Sequence, residues 1–135
     1  MADVRDLFYH GVRHQMRRVL QALGPERLDK GLTAFDDGES SWSNCFFARA
    51  LPELGLSTAR NPEQVIAKEL GFNGITPIRI VWHTFDHLNH YMTKEQMVDF
   101  VNAVRDDMRP AEVMELLRSV NLNLNMSDIP VEAKC

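Results

Sequence analysis

Cysteine is scarce in this chain: Cys45 and Cys135 are the only two in 135 residues. A small secreted scaffold stapled by disulfides carries more, and Cys135 falls in a C-terminal stretch expected to be mobile, so reduced thiols and a cytoplasmic location are expected. Glycine and proline are also sparse, at seven and six residues, which excludes collagen-like and low-complexity chains. The glycines are isolated, and Gly71 and Gly74 form neither a phosphate loop nor the spaced glycines of a dinucleotide fold. A kinase, NTPase or dehydrogenase of the usual kinds is therefore disfavoured. No apolar run approaches the roughly 20 residues that cross a bilayer, and Asp3, Arg5 and Asp6 occupy the place of a signal-peptide core, so no membrane partner is expected. Positive charge is short as well: the net charge of -4 argues against nucleic acid as the main partner.

What is present is hydrophobic periodicity. Val4, Leu7, Phe8, Val12, Met16, Val19, Leu20 and Leu23 recur at spacings of three and four, the mark of one buried helical stripe. Gly24-Pro25 stops that helix, and Pro25 suits the first turn of a second one running from Glu26 to Phe35 on Leu28, Leu32 and Phe35. Gly31 in its middle costs about 1 kcal/mol relative to alanine. A polar break, Asp36-Asp37-Gly38-Glu39-Ser40-Ser41, precedes a short helix through Cys45, Phe46, Phe47, Ala48, Ala50 and Leu51 that Pro52 ends.

Asn61-Pro62 reads as N-cap and first helical residue of a further helix on Val65, Ile66 and Leu70, with Gly71 as its stop. Residues 77–83 are ambiguous. Ile78, Ile80 and Trp82 alternate as in a strand, whereas Thr76-Pro77 followed by Ile78, Val81, Phe85 and Leu88 fits a capped helix, which the longer periodicity favours. Thr93 with Gln96 forms a capping-box pattern before Met97, Val98, Val101 and Val104, and Pro110 opens a last helix on Val113, Met114, Leu116, Leu117 and Val120. The expectation is a mainly α, single compact domain of six or seven short helices, with one short strand or hairpin as an alternative. Residues 1–126 make the helical domain and 127–135 a mobile tail.

Three groups of residues carry possible chemistry. On a helix, His83, His87 and His90 share a face at i, i+4 and i+7, which suits a divalent transition metal such as zinc, iron or nickel. Because i and i+7 lie about 10 Å apart along the axis, two of the three would ligate one ion, with Asp86, Asp36, Asp37 or Glu39 as possible further ligands. The plainer alternative is solvent-facing histidines beside an apolar helix face. His10 and His14 share the i, i+4 spacing but sit among Arg13, Arg17 and Arg18, which repel a cation.

Cys45, in the first turn of its helix, is placed where the dipole favours thiolate; with His83 or His87 as base it would be a catalytic nucleophile. The plainer alternative is a small buried hydrophobe. The acidic turn lacks the ligand spacing of a calcium loop, and the scattered carboxylates lack the Glu-x-x-His pairing of a di-iron bundle. Arg13, Arg17 and Arg18, with Arg5, form the one basic cluster, open to a phosphate backbone, an acidic partner or a neighbouring subunit. Most of the chain is thus accounted for by an intracellular interaction or regulatory module that binds a protein partner or a second copy of itself. Metal binding through the histidines and thiol chemistry at Cys45 are the alternatives.

Overall fold

Gly24 takes φ 81° and ψ 162°, a backbone conformation open to glycine, and so bends the first helix, α1 (Val4–Leu32), into two limbs at the Gly24-Pro25 stop. The computed structural model describes residues 4–35, 42–89, 92–107 and 110–119, with side chains of 4–8, 42–44, 57 and 119 set aside. Five more helices follow: α2 (Trp42–Ala50), α3 (Pro62–Leu70), α4 (Thr76–Leu88), α5 (Lys94–Arg105) and α6 (Pro110–Ser119). Two single 3-10 turns, Pro52–Leu54 and Leu56–Thr58, join α2 to α3. Among the described residues there is no strand. The fold is a single mainly α unit, and residues 77–83 are helical, so the strand alternative is withdrawn.

The reason is length and burial. Alternation of Ile78, Ile80 and Trp82 reads as a strand because all three are buried, yet so are Val81, Thr84, Phe85 and Leu88. A helix covered on most sides hides its own period.

α1 is the spine. Val12, Met16, Val19, Leu20 and Leu23 on its first limb and Leu28 and Leu32 on its second are all buried, and α1 packs against α2, α4, α5 and α6. α4 lies between α1, α2 and α3. The centre is aromatic: the rings of Phe35, Phe46 and Phe85 meet at centroid distances of 5.1 to 6.0 Å, and Phe47 stacks on Trp82 at 5.6 Å. Each such pair adds about 0.5–1.5 kcal/mol beyond burial, and together they tie α2, α4 and Phe35, three residues past the end of α1, into one centre. Gly31 is explained here. A Cβ at that position would stand 2.7 Å from Cε2 of Phe46 and 3.0 Å from its carbonyl oxygen, so the second limb of α1 approaches α2 only because residue 31 has no side chain.

The helix ends follow local chemistry in part. Thr93 Oγ1 accepts a hydrogen bond from the Gln96 N–H, and Gln96 Oε1 accepts one from the Thr93 N–H, completing the expected capping box. Gly71 ends α3 in the left-handed conformation, with Phe72 N–H donating to Ala67 O at 2.8 Å. Asn61 is the N-cap of α3 as expected, and Thr76 differs from expectation. Asn61 occupies the N-cap without a side-chain hydrogen bond, and Thr76 is already the first residue of α4, whose cap is Ile75. The acidic turn 36–41 and residues 120–135, including the end of the expected helical domain and the expected tail, lie outside the described residues.

Candidate functional site

α4 is buried along most of its surface and turns one narrow stripe outward, formed by Arg79, His83, Asp86 and His87, all half-buried. The spacing of i, i+4 and i+8 for Arg79, His83 and His87 stacks them along one line. Arg79 begins the stripe with a bidentate pair: its Nε and Nη2 donate to Oε2 and Oε1 of Glu63 on α3, both at 2.8 Å. Glu63 is buried, and its carboxylate raises the Arg79 pKa, first through the hydrogen bond and also through charge.

One turn further, the rings of His83 and His87 lie with centroids 4.9 Å apart and planes inclined at 59°. Nε2 of His83 is buried. Beside them in the helix, Thr84 Oγ1 is buried with no hydrogen-bond partner among the described residues, as is Nδ2 of Asn89 just past the helix end.

His83 and His87 are thus brought together as their spacing requires, while His90 lies outside the described residues, as do Asp36, Asp37 and Glu39. Among the described residues no three His, Cys, Asp or Glu side chains gather closely enough to hold a metal ion, so Cys45, His83 and His87 do not form such a set. Cys45 departs from the expectation of reduced thiols: it is disulfide-bonded, and no described cysteine is free. A bonded sulfur is no nucleophile until it is reduced.

Two arginines of the basic cluster, Arg13 and Arg17, are engaged within the fold. Arg13 pairs with Asp107, and Arg17 Nε donates to the Arg105 carbonyl at the end of α5, which also accepts from Gln21 Nε2 at 3.1 Å. These contacts clasp α1 to the C-terminal end of α5, where orphan carbonyls need donors. Asp106, at the same corner, has its pKa lowered by the hydrogen bond from Arg105 and, more weakly, by the charges of Arg105 and Arg17. His10 and His14 are exposed on this helix.

Sequence reasoning passed over one surface. Between α3 and α4 the turn Gly71-Phe72-Asn73-Gly74-Ile75 borders two adjoining depressions of about 630 and 340 Å³. Phe72, Asn73 and Gly74 are shared by both; Lys68 and Ala67 line the first, and Arg18 the second. The Arg18 guanidinium sits 5.0 Å from the centre of the half-buried Phe72 ring, a cation–π contact that holds both side chains at the surface. The signal available in the sequence was an aromatic residue inside a glycine-bounded turn, a place where loops carry binding groups.

Among the described residues no helix is long and apolar enough to cross a membrane. Compared with protein-family models, with curated proteins and with solved structures, the chain matches none of them.

Proposed function

We propose that the chain is a non-catalytic interaction module and that the groove at the α3–α4 turn is its docking surface. The observation that supports this is the groove's make-up. Its lining combines apolar Ala67, Phe72 and Ile75 with the cations Lys68 and Arg18 and, among the described residues, includes no carboxylate. The chain as a whole carries 19 acidic against 15 basic residues. On an acidic protein, a depression flanked by two cations, with no carboxylate among its described lining residues, favours an acidic segment of a partner protein with one or two apolar anchors. Aromatic and arginine side chains are also the types that most often dominate binding energy at interfaces. A disulfide at Cys45 is uncommon in a reducing compartment and counts against the cytoplasmic location expected from composition.

A random-peptide library selected on the full chain, with Phe72→Asp as the counter-selection target, tests the reading. Enriched peptides are expected to be acidic with an apolar residue, and to bind Arg18→Glu and Lys68→Glu at least about tenfold more weakly, since like charges facing each other cost 1.4 kcal/mol or more. Enrichment of basic peptides, or equal binding to the charge-reversed proteins, sinks it.

A further inference from the structure

We propose that Asn73 is a self-modifying residue, whose side-chain amide is converted without an enzyme to the carboxylate of aspartate or isoaspartate on the rim that the two depressions share. Such a conversion needs an asparagine followed by a residue whose backbone nitrogen can reach the side-chain carbonyl. Asn73 is the one asparagine of the chain that precedes a glycine. With no Cβ on Gly74, nothing on that residue shields its nitrogen from Cγ of Asn73.

The step balances with water alone. The Gly74 nitrogen gives up its proton to hydroxide and attacks Cγ of Asn73; the new N–C bond closes a succinimide ring, and the amide nitrogen leaves as ammonia after taking a proton from water. Water then opens the ring at either carbonyl, giving aspartate or isoaspartate and releasing a proton. Nothing is oxidised or reduced.

The turn favours this chemistry in three respects. Asn73 and Gly74 are both exposed, and they lie between the end of α3 at Leu70 and the start of α4 at Thr76. Among the described residues no hydrogen bond holds the Gly74 N–H, and a Cβ built on Gly74 would meet nothing within 4 Å, so the backbone here is free to rotate. Lys68 lines one depression and Arg18 the other, and the N-cap of α4, Ile75, makes no side-chain capping bond. The cations and the positive helix end stabilise the oxyanion that forms at the attacked carbonyl, and afterwards the product carboxylate.

Other asparagines serve as internal controls. Asn61 precedes Pro62, whose nitrogen carries no hydrogen, and Asn102 is half-buried within α5, where the next N–H belongs to the helix ladder. The consequence for docking rests on the groove reading given above. A carboxylate at residue 73 offsets one of the two cations that favour an acidic segment, so the age of a molecule sets its affinity for that partner.

The test is incubation of the tag-free full chain in mildly alkaline buffer with no partner present, followed by intact mass and peptide mapping. Loss of an amide located at residue 73, with isoaspartate among the products, is expected, and faster than in mildly acidic buffer. Gly74→Ala, which the open surroundings and the absence of a positive φ at residue 74 accommodate, should slow the conversion at least about tenfold. Asn73→Asp should bind the acidic peptides that the parent selects about tenfold more weakly. Absence of conversion at residue 73, faster conversion at Asn102, or an unchanged rate in Gly74→Ala overturns the proposal. Equal binding of acidic peptides by the parent and Asn73→Asp overturns the link to docking. Because mass reads the conversion without a partner, a library that yields no acidic binders sinks the groove reading alone.

Discussion

α1 and α4 each carry a pair of histidines four residues apart and arginines beside them, yet packing gives the two pairs opposite settings. His10 and His14 are exposed on a helix that buries a single stripe, and the neighbouring arginines reach across to the end of α5. His83 and His87 stand on the one open stripe of a helix buried among α1, α2 and α3, with the nearby arginine neutralised by a buried glutamate. Equal spacing therefore does not mean equal chemistry. Burial on three sides narrows the freedom of the second pair, and the partner of each arginine decides whether its charge reaches the rings.

The largest expected effect breaks the α4 side of this contrast. The side chains of Glu63 and Arg79 are 11% and 26% exposed, between the surface and fully buried cases. Removing the carboxylate in Glu63→Ala should cost about 2 kcal/mol in urea denaturation. Arg13→Met, which breaks the pair with the more exposed Asp107, should cost less than about 1 kcal/mol in the same measurement. Equal losses would erase the distinction between the two helices.

A smaller change of opposite sign is expected inside α4. Thr84→Val keeps the side-chain shape while removing a buried hydroxyl that has no hydrogen-bond partner among the described residues, and should raise stability by about 1 kcal/mol, read as a higher melting temperature. A decrease would show that the hydroxyl is satisfied in solution.

The smallest effect sharpens the α1 side. Asp106 has a folded-state pKa below its ordinary value of 3.8, so its contribution is present above that pH and is lost as pH falls through the lowered value. The denaturation midpoints of Asp106→Asn and the parent should therefore differ slightly at pH 7 and converge below about pH 3.8. A gap that widens in acid contradicts the assignment.

Legibility in the sequence tracked how local each cause is. The break at Gly24-Pro25, the capping box of Thr93 with Gln96 and the glycine stop at Gly71 depend on neighbours within a few residues, and each is present. Asn61 and Pro62 take the N-cap and first helical positions as expected, although the Asn61 side chain makes no capping bond, whereas the cap expected at Thr76 failed because α4 begins one residue before Pro77. The i, i+4 rule brought His83 beside His87, but nothing in the spacing distinguished that pair from His10 and His14. Arg13 and Arg17, read with Arg18 as a basic cluster, form an internal clasp that the spacing did not reveal, because the end of α5 that they serve is 88 residues from Arg17 in the chain. Cys45 was read as a free thiol, and the disulfide it makes has no local signature.

By itself, then, the sequence determined the helical class, most of the helix ends and the buried stripes, since these arise from periodicity and short-range hydrogen bonding. Only the tertiary structure decided which side of α4 stays open, why residue 31 must lack a side chain, which charges are cancelled and where a cation-flanked groove forms. Those features depend on surfaces that meet across long stretches of chain, and the free energy of such meetings is written in no single segment.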